Sequence, residues 1–415
     1  MAFAQKTIPV RPFTISHSEQ EVADLKTLIR LSPLSDKTYE NNAMHEHKFG
    51  PSRAWMQETK SAWQDFDWFS AQADLNRFPH FIAEVPDVDP KTGTTGVLQV
   101  HFVGIESPHP DAVPVMILHG WPGNFFELLP LVSHLLGSPS NPPMHLIIPS
   151  LIGCAYSSKT PLDREIGTDG CARIMNSLMK GLGYKQYVVQ GGDLGAFLAR
   201  YIAIRYDECK ALLVNYIPMT PSVARDVVPP LEFRDRDEQG LARTEWFLGN
   251  GFAYASEQAT RPATIGYCIE SNPIALLAWV GEKFLHWTDA VPTQDHMLTW
   301  LTLYWLTKSY ASSIFYYRDP SESMNVTIPP GPGATDPSID LEGLFVEKPL
   351  GYSKFPMELK VTPEHWAQRT GNLVFFKEHS AGGHFAATEQ PERLAADLVA
   401  FLEIVWQAKG KEATK

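Results

Sequence analysis

The sequence predicts an α/β protein: a mostly parallel sheet with helices on both faces, an inserted helical lid and a separate leading segment. Three observations carry this. Between 110 and 218, short apolar runs alternate with stretches of helical period, the pattern of strands buried on both faces and joined by crossover helices. One run, Tyr187-Val188-Val189, enters the turn Gly191-x-Asp193-x-Gly195 and then a helical stretch with Leu194, Phe197, Leu198, Tyr201 and Ile202 on one face. From 219 to 340 the rhythm gives way to Trp-, Tyr- and Pro-rich helical stretches, and it resumes from 341. The chain therefore divides into a leading segment (1–105), the first part of the core (106–218), the lid (219–340) and the second part of the core (341–415).

Taken in order, Ser18-Glu19-Gln20-Glu21 ahead of Val22, Leu25, Leu28 and Ile29 gives a helix with acid in its first turn. A second helix fits 52–74, around Trp55, Trp63, Phe66 and Phe69. Phe81–Val85 and Val97–Val103 read as strands about a Pro/Gly turn at 89–93. Val113–Leu118 is a strand, HGWPG (119–123) a turn, Phe125–Leu136 a helix and His145–Pro149 a strand. Ile174–Leu182 is a helix closed by Gly183. After the Asp193 turn and its helix comes a strand at Ala211–Ile217. In the lid, Pro273–Phe284 and His296–Tyr310 are helices, and 328–337 is a Pro/Gly-rich loop. Leu344–Val346 and Leu373–Phe376 are strands, and Leu394–Trp406 is an amphipathic helix.

Bulk properties exclude several function classes. The 415 residues are 44% hydrophobic and 20% charged, an ordinary globular composition. A net charge of −12 and the absence of a basic block argue against nucleic acid or an anionic membrane as partner. No apolar run reaches the 18 residues of a membrane span, and MAFAQKTIPVRPF lacks the apolar stretch of a signal peptide. The four cysteines are scattered without a C-x-x-C, so neither a zinc site nor a disulfide framework is expected, and a reducing, cytoplasmic setting follows. His45 and His47 in HEH lack a third ligand nearby and read as loop histidines rather than a metal site.

Chemistry concentrates at Asp193. A nucleophile on a strained strand-to-helix turn needs small neighbours, as in the G-x-S-x-G elbow. Here a carboxylate stands where that elbow has serine. A carboxylate nucleophile forms an ester with an alkyl carbon, which suits opening an epoxide or displacing a halide. The plainer alternative is a βα turn with Asp193 as helix N-cap. The ester must then be hydrolysed by water and a base. His384 in SAGGHFA lies just past the last strand, where the order nucleophile, acid, histidine places it. Glu358 in FPMEL is a candidate for the orienting acid, with Asp319, Asp336, Asp340 and Glu347 as competitors. The backbone N–H groups of Trp121 and Leu194 are candidates for an oxyanion hole. An epoxide oxygen leaves as an alkoxide and needs a proton donor. The lid offers Tyr254, Tyr267, Tyr304, Tyr310, Tyr316 and Tyr317, and spacing does not choose among them.

The strings ADLNRFPHF (73–81), HGWPG (119–123), GGDLGA (191–196), QATRPATIGY (258–267), LYWLT (303–307), FPMEL (355–359) and GGHFAATEQPE (382–392) together resemble the epoxide hydrolases of the α/β-hydrolase fold, in particular the microsomal-type branch and its soluble fungal members. The resemblance implies Asp193 as nucleophile, His384 as base and Glu358 as its orienting acid. It implies Tyr254, four residues before Q-A-T-x-P, and Tyr317, with Tyr316 as fallback, as the lid donors. It also implies a leading segment that wraps the core and touches the lid. The expected reaction converts an epoxide and water to a vicinal diol without metal or organic cofactor. The expected partners are the small-molecule epoxide and water, with no nucleic acid and no membrane anchor; a homodimer is compatible with this reading.

Two departures stand out: many relatives carry Trp where this chain has Leu194, and membrane-bound relatives carry an N-terminal anchor that this sequence lacks. The aromatic lid (Trp246, Phe247, Phe252, Trp279, Phe284, Trp287) suggests an apolar or aryl epoxide. The rival readings are a haloalkane-type dehalogenase and an enzyme whose epoxide is opened by an internal nucleophile. Alkane-type dehalogenases place Asn after H-G, where this chain has Trp121.

Overall fold

The computed structural model describes residue 3 and residues 5–218, 234–318 and 345–406. Among them a nine-stranded sheet runs in the order β1-β2-β3-β5-β4-β6-β7-β8-β9. The strands are β1 (Val10–Phe13), β2 (His80–Val88), β3 (Thr95–Ile105), β4 (Val113–Leu118), β5 (Met144–Pro149), β6 (Tyr187–Gly191), β7 (Cys209–Val214), β8 (Val346–Lys354) and β9 (Gly371–Glu378). The run from β5 to β9 is parallel; β1, β2 and β3 add antiparallel strands at one edge.

Residues of the central strands alternate between two buried layers. Val113, Val115 and Ile117 face one, Met116 and Leu118 the other; Val188 faces the first, Tyr187 and Val189 the second. That double burial is why these strands read as continuous apolar runs.

The leading segment both extends the sheet and reaches the lid. Helix α1 (Glu19–Leu31) starts on a capping box, with the Ser18 side chain accepting from the Glu21 N–H and the Glu21 side chain answering at Ser18. The pattern expected as one helix over 52–74 forms two, α2 (Arg53–Asp65) and α3 (Trp68–Leu75). Phe66 leaves the helical region at φ −59°, ψ 131°, and the Asp67 side chain caps α3 by accepting from Phe69 and Ser70. Trp63 Nε1 donates to Thr302 Oγ1 at 2.8 Å, and the His286 ring bonds to the His47 carbonyl at 2.8 Å; both tie this segment to lid helices.

Elsewhere the helix at 125–136 is a 3₁₀ turn (Phe125–Leu128) followed by α4 (Leu129–Gly137). Helix α5 (Thr168–Gly181) begins six residues earlier than expected, behind Gly167, which offers no side-chain cap. The Asp193 helix is α6 (Asp193–Arg205). The lid helices of at least eight residues are Asp235–Asn250, Ala253–Thr260, Pro262–Glu270, Pro273–His286 and Gln294–Thr307. The last stops where Lys308 turns left-handed, at φ 48°, short of the expected Tyr310. The expected loop at 328–337 and residue Leu344 lie outside the described residues; β8 runs on to Lys354. The C-terminal helix is Pro391–Val405. Four segments converge at the carboxyl ends of β4, β6, β8 and β9: HGWPG, the Asp193 turn, FPMEL and the GGHFA loop. Ligands of parallel sheets bind at these strand ends.

Candidate active site

Asp193 has φ 48°, a left-handed conformation that a side-chain-bearing residue adopts only where its surroundings compel it. The compulsion is close packing. A Cβ on Gly195 would lie 2.3 Å from the Leu118 carbonyl oxygen, and one on Gly120 2.3 Å from the Asp193 Cβ. With both positions bare, α6 closes onto the end of β4 and lifts Asp193 off the sheet. Gly192, not Asp193, occupies the N-cap of α6, so the capping alternative does not hold. The carboxylate is engaged elsewhere. Trp121 N–H donates to Asp193 Oδ1 at 2.7 Å, and His384 Nε2 stands 3.3 Å from Oδ2. Leu194 is the second residue of α6, so its N–H belongs to the unpaired first turn of the helix.

His384 is 4% exposed and held from three sides. Its Nδ1 meets Glu358 Oε1 at 2.5 Å. Its own N–H donates to the Trp287 carbonyl at 2.8 Å. The Met357 N–H donates to the Gly382 carbonyl at 3.0 Å, which joins the loop of the acid to the loop of the histidine. Glu358 Oε1 also accepts from the Leu359 N–H at 2.6 Å. Of the competing acids, Glu347 is exposed on β8, and Asp319, Asp336 and Asp340 lie outside the described residues. Burial alone would push the His384 imidazolium down; the Glu358 and Asp193 carboxylates outweigh it and lift the group to about 10. The carboxylates on either side of the ring thus favour its protonated form.

Above Asp193 lies a cavity of about 60 Å³, lined by Leu194, Phe197, Phe247, Phe252, Tyr254 and Tyr317 among others. Tyr254 stacks on Trp121, with ring centroids 5.3 Å apart and planes at 11°. The Tyr317 ring stands 5.7 Å from that of Tyr254 at 77°. Burial, with Asp193 adding in the same direction, drives both phenols above their ordinary range, so both are neutral donors at physiological pH. The other lid tyrosines point elsewhere. Tyr316 OH donates to the Ile152 carbonyl at 3.2 Å, Tyr304 OH to the Gly123 carbonyl at 3.3 Å and Tyr310 OH to Gln258 at 3.3 Å, while Tyr267 is 81% exposed.

A family profile described as the epoxide hydrolase N terminus matches residues 10–128, and one for the alpha/beta hydrolase fold matches 113–263. Over 409 residues the chain is 34% identical to a putative epoxide hydrolase of Dothistroma septosporum, covering 97% of this chain and 92% of that protein. The chain belongs to the epoxide hydrolase family. The structure of Aspergillus niger epoxide hydrolase matches with a TM-score of 0.86 at 39% identity, covering 98% of this chain and 100% of that one. Juvenile hormone epoxide hydrolase from the silkworm Bombyx mori matches at 26% identity with a TM-score of 0.82, covering 96% and 95%. These matches place the enzyme with epoxide hydrolases rather than with haloalkane-type dehalogenases.

Three features of this epoxide hydrolase escaped sequence reasoning. His119 is fully buried, accepts from the Leu151 N–H at 3.1 Å and bonds to the Gly120 carbonyl at 2.9 Å; it pins the turn that carries the Trp121 amide. Lys360 lines the cavity, where burial pushes its ammonium down to about 7 against the pull of Asp193. Lys283 lies under Tyr254, 4.5 Å from the ring centroid. A cation two residues from FPME or inside a helical run carries no local signal of its neighbours. Among the described residues no group of three His, Cys, Asp or Glu could hold a metal, and none of the helices is long and apolar enough to cross a membrane. His45 and His47 sit instead against Tyr39 and the Ser52 N–H.

Proposed function

We propose that this epoxide hydrolase opens its substrate through a covalent ester on Asp193. Tyr254 and Tyr317 donate hydrogen bonds to the ring oxygen. Asp193 Oδ2 attacks a ring carbon as the opposite C–O bond breaks, and the freed alkoxide takes a proton from a phenol. Esterification removes the Asp193 charge, one of the two carboxylates that raise His384. The imidazolium becomes more acidic and returns a proton to the tyrosinate. The neutral imidazole, held by Glu358, then takes a proton from water, whose oxygen attacks the ester carbon. The Trp121 and Leu194 amides bind the resulting oxyanion. On collapse, the new carboxyl passes its proton to the departing diol oxygen and the starting charges are restored.

The observation that carries this reading is the division of labour at the Asp193 carboxylate: Oδ1 held by an amide at 2.7 Å, Oδ2 beside His384 at 3.3 Å. It is also the arrangement that the sequence resemblance implies. The test is diol formation from styrene oxide by wild type and Asp193→Asn. Wild type forms the diol, and the variant loses activity by about 10³-fold or more. Near-native turnover by the variant would sink the proposal. The aromatic walls of the cavity, Phe197, Phe247 and Phe252, support an apolar or aryl epoxide as substrate. The division at 105, 218 and 340, the cytoplasmic setting and a homodimer belong to the same reading; sedimentation of the purified enzyme tests the last.

A further inference from the structure

We propose that Lys283 is a positioning residue for the lid donor, holding Tyr254 in place and its charge against the phenol so that proton donation to the epoxide oxygen is easier. The inference rests on the assignment of Tyr254 as donor. Lys283 lies on the helix Pro273–His286 and is 1% exposed. Its ammonium sits in a cage of three rings, 4.5 Å from the centroid of Tyr254 and 5.5 Å from those of Trp279 and Trp287. Tyr254 is therefore gripped by Trp121 through stacking and by Lys283 through a cation–π contact.

The counter-charge opposes this, since the Glu282 carboxylate is one of the groups that push the Tyr254 phenol up, but it does so from the solvent side. Glu282 Oε1 meets Lys283 Nζ at 2.7 Å, but the Glu282 side chain is 32% exposed against 2% for Lys283. Water screens the negative end of the pair, while the positive end faces a phenol in an apolar surround, where charge acts at longer reach. As Tyr254 gives up hydrogen-bond density to the ring oxygen, negative charge grows on the phenol, and a fixed cation on its face favours that change over the ground state. Lys283 is not among the residues lining the cavity above Asp193, so it acts through Tyr254 and does not touch the substrate.

The test is a double-mutant cycle on the rate of ester formation, measured in single turnovers with styrene oxide for wild type, K283M, K283Q, K283R, Y254F and Y254F/K283M. K283Q keeps a hydrogen-bond donor for Glu282 and serves if K283M does not fold. The proposal predicts that K283M and K283Q slow ester formation about tenfold, that KM changes far less, and that K283R recovers most of the rate. On the Y254F background, K283M costs nothing further. A wild-type rate in K283M or K283Q, or an equal fractional loss in both backgrounds, overturns it. A wild-type rate in Y254F alone overturns the donor assignment itself, which separates failure of the parent reading from failure of the role given to Lys283.

Discussion

At Asp193, an aspartate φ of 48° would cost about 1–3 kcal/mol in isolation. The surroundings impose it, and it leaves each carboxylate oxygen with a different partner. The charge on that side chain acts with that of Glu358 to raise His384. Replacing Asp193 with asparagine removes one of the two anions that lift the imidazolium to about 10. A histidine titration by NMR is therefore expected to show a lower His384 value in D193N than in wild type, and an unchanged value would contradict the proton sequence. The phenols give a second check. In the proposed mechanism each contributes one hydrogen bond to a developing alkoxide, so Y254F and Y317F are each expected to slow ester formation by about 10–100-fold. Y316F, whose hydroxyl is spent on the Ile152 carbonyl, is expected to keep a near-native rate.

At the scale of elements, the turn between β6 and α6 depends on bare glycine. A methyl at Gly195 would stand 2.3 Å from the Leu118 carbonyl, so G195A is expected to destabilise the protein by about 1–3 kcal/mol and to displace Asp193; denaturant unfolding with activity assay checks both. The lid is fastened to the core by a buried ion cluster. Lys354 Nζ, at the end of β8, meets Asp237 Oδ1 at 2.7 Å and Glu378 Oε1 at 2.8 Å. Burial would raise the Asp237 carboxyl, but Arg234 and Lys354 hold it down at about 2, against 3.8 when unperturbed. A depressed carboxylate contributes stability above its unfolded value and loses it as the pH falls. Melting temperature is therefore expected to drop between about pH 4 and pH 2 in wild type, and K354M should flatten that drop while costing about 2–4 kcal/mol at neutral pH. Element types were legible because periodicity reports burial directly, as in the six buried residues of Val113–Leu118. Boundaries were not. The break at Phe66 hangs on the Asp67 side chain turning back to cap the next helix, and helix α5 starts behind a glycine with no capping side chain to announce it.

Across the whole molecule, the site joins four strand ends drawn from positions 121 to 384, and its legibility followed how local each constraint is. The Asp193 turn and the GGHFA loop are short strings whose glycines encode their own geometry, so Asp193 and His384, which meet at 3.3 Å, could be singled out from sequence. Glu358 could be proposed from chain order, but its contact with His384 depends on the pairing of Met357 with Gly383, a meeting of distant loops. The choice of Tyr317 over Tyr316 turns on one residue in a 3₁₀ turn (Phe315–Arg318), where neighbouring side chains diverge sharply. Lys283 and Lys360 were invisible because a buried cation is defined by what surrounds it. In the proposed mechanism the oxygen added to the epoxide comes from Asp193 and not directly from water. A single turnover in ¹⁸O-water, with enzyme in excess over styrene oxide, distinguishes the two sources. An unlabelled diol and one ¹⁸O in the peptide bearing Asp193 are expected; label in the diol with none in that peptide would show that water attacks the ring itself and that no ester forms on Asp193.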